Sequence, residues 1–145
     1  MFDFQKLEVY KKAKVFHRDL KLLISEKNLR YPEKDQLYRS SFSVALNLAE
    51  GSGRFSKRDR RNFFVIARSS VFECVAILDI LKDGSNISEA KYSNFETKAD
   101  ELSRMNYGLI RTSDILPWCY HLLITMDMAS DCRSHDNRPL TKLKT

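Results

Sequence analysis

Apolar residues recur at steps of three and four in four successive segments, which is the period of an amphipathic helix. The predicted helices are Phe4–Lys27, Pro32–Glu50, Ser56–Lys82 and Ser88–Ser113. In the last of them a heptad-like seam, suited to bundle packing, is formed by Tyr92, Phe95, Ala99, Leu102, Asn106 and Leu109. Glycine, asparagine and proline residues lie between the predicted helices and favour turns. The pattern therefore predicts an all-α fold, with a small four-helix bundle in residues 1–114.

Local signals set the expected helix ends. Asn28 is a stop signal, and Pro32 fits the first turn of the next helix. The segment Gly51-Ser52-Gly53 predicts a tight turn, because glycine tolerates positive φ. Ser56 and Ser88 are the expected N-caps of the last two helices.

Residues 115–145 form a predicted C-terminal extension outside the bundle. The segment 115–124 is apolar, and we expect a short helix there that packs on the bundle or on a neighbouring molecule. The polar residues after Asp127 are expected to be mobile. Two of the three cysteines, Cys119 and Cys132, lie in this extension, and neither they nor Cys74 has the spacing of a metal site.

The second predicted helix carries an apolar series and a polar series. The apolar series contains Phe42, Ala45, Leu46 and Ala49, with Val44 and Leu48 beside it. The polar series follows steps of four, four and three and therefore lies on one helix face; it consists of Arg39, Ser43, Asn47 and Glu50. This stripe is either an exposed polar face or a network enclosed by neighbouring helices, in which each side chain has a partner.

The third predicted helix is apolar almost all round from Phe63 to Leu81. Such a helix must be buried on all sides, and a small bundle covers only one. We therefore predict a homo-oligomer, with an interface formed by Phe64, Val71, Phe72, Val75 and Leu78. Glu73 interrupts the apolar run and is the expected counter-charge of Arg39. The complete predicted polar network is Arg39, Ser43, Asn47, Glu50, Ser70 and Glu73.

The chain carries 25 basic and 19 acidic residues, a net charge of +6. Five cations surround the start of the third helix, and with Asp59 they give a local charge of +4. Backbone N–H groups at a helix N-terminus also favour phosphate. The predicted nucleic-acid-binding residues are Arg54, Lys57, Arg58, Arg60 and Arg61, extended by Lys11, Lys14 and Arg18 on the first helix. The alternative is that these charges only keep an oligomer soluble.

Phe55 precedes the third helix and has two interpretations. The first is a hydrophobic staple, in which the ring packs against the first turns of the helix. The second is an exposed ring that stacks on a nucleobase. We expect the staple.

No constellation typical of an enzyme is present. His17, His121 and His135 have no metal-ligand spacing, and no nucleophile lies beside a base. Glu50 and Glu73 are a conceivable acid–base pair, but Arg39 offers each of them a structural partner. We predict a protein that is not an enzyme and uses no metal or cofactor. No run of about 18 apolar residues and no signal peptide is visible, so we expect a cytoplasmic protein without a membrane segment.

The sequence resembles the four-helix bundle proteins of intervening sequences in bacterial ribosomal-RNA genes. The family pattern has an aromatic-Pro-x-x-acidic entry, a helix reading R-x-x-x-S-x-x-x-N-x-A-E-G, a basic loop, and a helix reading F-x-x-x-A-x-G-S-x-x-E. This chain matches it with Tyr31-Pro32-Glu33, Arg39, Ser43, Asn47, Ala49, Glu50, Gly51, Phe63, Ala67, Ser70 and Glu73. Ser69 replaces the usual glycine, and the extension lies outside the pattern.

The resemblance implies an antiparallel up-down bundle that assembles into a ring, typically a homopentamer. It also implies nucleic-acid binding, RNA more than DNA, because the accessory protein of diversity-generating retroelements shares the fold and works with a reverse transcriptase and its template RNA. The expected function is therefore a basic, oligomeric nucleic-acid-binding protein that assists a nucleic-acid enzyme. The alternative is a protein–protein scaffold whose charge is incidental.

Overall fold

The computed structural model describes residues 2–27 and 29–113, which contain a short 3-10 helix, four α-helices and no strand. The 3-10 helix is Asp3–Lys6, and the α-helices are α1 (Glu8–Glu26), α2 (Tyr31–Ser52), α3 (Lys57–Asp83) and α4 (Glu89–Ser113). The all-α prediction is confirmed. Asn28 and the predicted extension 115–145, with Cys119 and Cys132, lie outside the described residues. None of the described helices is long and apolar enough to cross a lipid bilayer.

The helix starts follow the capping signals of the sequence. The hydroxyl of Ser56 accepts a hydrogen bond from the Asp59 N–H at 3.4 Å, and that of Ser88 accepts one from the Lys91 N–H at 3.3 Å. The first helix begins later than predicted, because Leu7 adopts an extended backbone between the 3-10 turn and α1. Its side chain is buried in the core.

Each α-helix packs against two other α-helices: α1 and α3 each lie next to α2 and α4, and the backbones of the diagonal pairs are not in contact. Side-chain contacts join neighbouring helices in opposite chain order. Between α1 and α4, ion pairs connect Lys12 with Glu101, Asp19 with Lys98, and Glu26 with Lys91. Between α2 and α3, hydrogen bonds connect Ser40 with Cys74 and Ser43 with Ser70 in this opposite order, and a third connects Gln36 with Glu73.

The core lies between the four helices and is formed by large apolar side chains. The most completely buried include Phe16, Leu20, Leu37, Leu48, Phe64, Leu78 and Leu102. On α4 the predicted seam is confirmed at Tyr92, Phe95, Ala99 and Leu102, which are all buried. The seam also contains Asn106, whose amide is buried and has no hydrogen-bond partner among the described residues.

The inward face of α2 differs from the predicted one. Phe42 and Leu46 are nearly half exposed, whereas Ser40 and Ser41 are buried. The two serines satisfy their hydroxyls within the helix, by donating to the carbonyls of Gln36 and Tyr38 at 2.8 and 2.9 Å. Small, internally bonded serines can therefore face the core beside Leu37, Val44 and Leu48, while Phe42 and Leu46 face outward.

Gly51 is not the turn residue that the sequence predicts. It lies within α2, is buried, and has no positive φ. A Cβ atom at this position would lie 2.7 Å from Cε1 and 2.9 Å from Cδ1 of Phe64. Glycine is required here because α3 approaches the backbone of α2 closely, and the chain turns only at Gly53.

Candidate nucleic-acid interface

The loop between α2 and α3 is held by the arginines at its two ends. The Arg60 Nη2 donates to the carbonyl oxygen of Arg54 at 3.0 Å. The Arg54 guanidinium lies 4.4 Å from the ring centroid of Phe63 and 3.4 Å from a carboxylate oxygen of Glu50. These contacts fix the backbone that precedes α3, so the first turn of the helix has a defined position.

The other cations of this group project from the first turns of α3. Lys57, Arg58 and Arg61 are exposed, and neither Lys57 nor Arg58 forms an ion pair with any residue that the structure describes. The charges of Lys57 and Arg58 face solvent beside the N-terminal end of a 27-residue helix, where the helix dipole also favours an anion. We call Arg54, Lys57, Arg58, Arg60 and Arg61 the cationic group.

Phe55 does not form the expected staple. Its side chain is fully exposed, although it stands between Arg54 and the N-cap of α3. An aromatic ring without packing is therefore placed next to the cationic group.

The structure does not bring the cations of α1 to this group. Lys11 forms an ion pair with Glu8, and Arg18 lies 3.4 Å from Asp19. The Lys14 ammonium lies 5.2 Å from the ring centroid of Tyr10. Since α1 and α3 are diagonal helices without mutual contact, Lys11, Lys14 and Arg18 form a separate surface. The eight predicted nucleic-acid-binding residues therefore form two separate sets, one on α1 and one at the start of α3.

Three members of the predicted polar network are joined at the α2–α3 contact. The Asn47 Nδ2 donates to the hydroxyl of Ser43 at 2.9 Å, and the hydroxyls of Ser43 and Ser70 are 3.0 Å apart. Ser70 is buried, and the other two are partly buried. These side chains fix the register of α2 against α3.

The charged members of the predicted network lie outside it. Arg39 is exposed and pairs with Asp35 at 3.7 Å, so the expected pairing with Glu73 is wrong. Glu73 accepts a hydrogen bond from Gln36 instead. Glu50 lies fourteen residues beyond Gln36 on α2, about 21 Å at 1.5 Å per residue, and the two glutamates therefore do not form an acid–base pair.

The predicted oligomer interface also changes. Phe64, Val71 and Leu78 are completely buried inside the protomer, and they belong to its core rather than to a contact with a second chain. Val75 is partly buried, and Phe72 is half exposed. The composition of α3 could not reveal this division, because apolar residues occupy both its inner and its outer face.

Exposed apolar side chains do occur on the neighbouring outer faces of α2 and α3. Phe42, Leu46 and Ile66 are 44%, 45% and 48% exposed. Leu46 and Ile66 each lie one turn from the contact between Ser43 and Ser70. We call Leu46 and Ile66 the α2–α3 patch, because the Phe42 ring packs near His17 of α1 instead. A signal was present in the sequence, since Tyr38, Phe42 and Leu46 follow one another at steps of four.

A further cation site, missed in the sequence, lies on the α3–α4 side of the bundle. The Arg68 guanidinium carbon is 4.7 Å from the ring centroid of Phe72 and 5.6 Å from that of Tyr107. Its Nε donates to the hydroxyl of Ser103 at 3.2 Å. The four-residue step from Arg68 to Phe72 was visible in the sequence, but the two residues from α4 were not predictable from spacing.

The pKa shifts of Cys74 and His17 have structural causes. Burial raises the pKa of the Cys74 thiol to about 12, so this cysteine is an inert core residue. Burial and the nearby Lys21 lower the pKa of His17, which packs near Tyr38 and Phe42. Within the described ranges, no cluster of three His, Cys, Asp or Glu residues could hold a metal ion.

Comparison with known proteins identifies relatives of this bundle. A family model described as 23S rRNA-intervening sequence protein matches residues 5–108. A crystal structure from Bacteroides thetaiotaomicron VPI-5482, of a protein with unknown function from the S23 ribosomal protein family, is similar with a TM-score of 0.66 at 21% sequence identity. The alignment covers 72% of this chain and 99% of that chain, and it shows the shared fold. No curated protein matches the sequence.

Proposed function

The chain belongs to the 23S rRNA-intervening sequence protein family, and we propose that it is a non-enzymatic, homo-oligomeric protein that binds nucleic acid through phosphate contacts. RNA is the proposed ligand in preference to DNA, because the family description refers to a ribosomal-RNA element. An accessory role beside a nucleic-acid enzyme, such as a reverse transcriptase, is part of the same proposal.

The observation that carries this proposal is the cationic group at the start of α3. Lys57 and Arg58 are exposed and have no acidic partner among the described residues, while Arg54 and Arg60 hold the loop in place. Cations presented on a fixed backbone bind phosphate without losing loop entropy. The exposed ring of Phe55 adds a surface on which a base can stack.

Assembly would multiply these contacts. The opposite chain order of the interhelical contacts supports an antiparallel up-down bundle, and the α2–α3 patch supplies apolar surface for a second copy. We propose a ring, with five subunits as the expected number. A ring repeats the cationic group around its axis, so that weak phosphate contacts combine into higher avidity.

Salt dependence tests the binding. RNA affinity is measured by fluorescence anisotropy at about 50 and about 200 mM salt for the wild type and for Lys57→Gln/Arg58→Gln. We expect the variant to bind RNA about tenfold more weakly, because two phosphate contacts are lost. The slope of log affinity against log salt should become smaller in magnitude by about 1.4 per engaged subunit.

The matched control is Lys14→Gln/Arg18→Gln, which removes the same charge from α1. We expect its salt slope to stay close to that of the wild type. Equal losses of RNA affinity and salt slope in both variants would show that binding depends on overall charge, and they would contradict the proposed site. If the wild type binds neither structured RNA nor duplex DNA at low salt, the protein–protein scaffold is the better interpretation.

A further inference from the structure

We propose that a clamp on the outer α3–α4 face holds one unpaired nucleotide of the bound RNA, with its phosphate on a guanidinium and its base on an aromatic ring. The clamp consists of Arg68, Phe72, Ser103 and Tyr107. This inference rests on the proposed function and adds a second contact site, distinct from the cationic group, that distinguishes unpaired from paired RNA.

The charge of Arg68 is oriented but not neutralised. Its guanidinium is held in one position by the rings of Phe72 and Tyr107 and by the hydrogen bond to Ser103. Arg68 forms no ion pair within the described part of the chain. Arg30, Arg58 and Arg111 also form no ion pair with a residue that the structure describes, but these three are exposed, whereas Arg68 is partly buried.

This difference indicates what Arg68 can bind. A partly buried guanidinium without a counter-ion is costly to maintain, and an incoming phosphate would supply the missing negative charge. Because the Nε is already used by Ser103, the outer edge of the planar fork is the part directed to a ligand. Arginine binds phosphate with this edge in a defined geometry.

The position of the clamp favours RNA as the occupant. Lys57, Arg61 and Arg68 follow one another on α3 at steps of four and seven, and such positions share one helix face. The series spans eleven residues, about 16 Å, and it leads from the cationic group to the clamp. A strand bound at the start of α3 would therefore reach Arg68 along a line of positive charge.

The rings of the clamp are accessible to a base. Phe72 and Tyr107 are each half exposed. Bases in a duplex are already stacked on one another, whereas unpaired bases stack on aromatic side chains.

The test compares an unstructured oligouridylate of about 20 nucleotides with an RNA duplex of the same length. We expect Tyr107→Ala to weaken oligouridylate binding about tenfold, the effect of one stacked base, and to leave duplex binding unchanged. Tyr107→Phe keeps the ring and should bind like the wild type. Arg68→Gln should weaken oligouridylate binding to a similar extent, and ultraviolet crosslinking of 4-thiouridine-labelled RNA should mark the peptide that contains Tyr107.

Several outcomes would overturn the clamp. Wild-type affinity and crosslinking in Tyr107→Ala, together with weak binding of Lys57→Gln/Arg58→Gln, would reject the clamp and leave the proposed function intact. A changed subunit number in Tyr107→Ala or Arg68→Gln would identify this face as a contact between copies instead. If the wild type binds no RNA at all, the proposed function and the clamp both fail.

Discussion

Replacement of Gly51 by valine will lower the free energy of unfolding by about 3 kcal/mol, the upper range for overpacking a filled core. The new side chain would meet the ring of Phe64, which is completely buried. Thermal unfolding followed by circular dichroism at 222 nm should show a melting temperature lower by about 10 °C for a chain of this size.

The matched control is Gly108→Ala on α4. This glycine is also helical, but it is exposed and has open space around it. Alanine favours a helix by up to about 1 kcal/mol over glycine, so the control should melt at the same temperature or slightly higher. An unchanged melting temperature for Gly51→Val would show that α2 and α3 are not packed as closely as described.

Substitution of the α2–α3 patch by Leu46→Glu/Ile66→Glu will convert the proposed oligomer into monomers. Both residues are nearly half exposed in the protomer, so glutamate is tolerated in the isolated bundle. At an interface each carboxylate would lose its hydration without gaining a partner, at a cost of several kcal/mol per ion. Size-exclusion chromatography with light scattering should report the monomer mass, with unchanged helical circular dichroism.

Leu22→Glu serves as the control for this variant. Leu22 is 56% exposed and lies beside Ala90 and Asn94 of α4, on the side of α1 away from the patch. It should keep the subunit number of the wild type. If the double variant keeps the wild-type mass, the patch is not the interface, and the contact between copies must use another face.

The helices and most of the core could be predicted from the sequence, because burial on one side produces a regular apolar period. The seam of α4 shows this directly: Tyr92, Phe95, Ala99 and Leu102 were predicted from spacing and are buried. Likewise, a serine at a helix start is a local signal, and the side chains of Ser56 and Ser88 form the expected caps.

The orientation of α2 and α3 could not be predicted, because it depends on partners distant in sequence. Ser40 and Ser41 look polar in a sequence, yet their hydroxyls bond within α2 and they face the core. Phe64 and Phe72 are chemically equivalent, and only the neighbouring helices decide that the first is buried and the second half exposed.

The same distinction applies to the candidate site: groupings of residues close in sequence could be predicted, and contacts between helices could not. The cationic group was predictable because its members are close in sequence and flank a capped helix start. The Arg68 clamp combines two helices, and no spacing rule connects Arg68 with Tyr107. Arg39 illustrates the opposite error, since its remote partner was expected to be Glu73 and its actual partner, Asp35, is one turn away.

Native mass spectrometry of the wild-type protein, purified from a bacterial host without nuclease treatment, can detect both the proposed ring and its bound nucleic acid. We expect a single closed assembly of five subunits that carries additional mass, and ribonuclease should remove that mass. A spectrum that contains only monomers without bound nucleic acid, at micromolar protein concentration, would contradict this expectation.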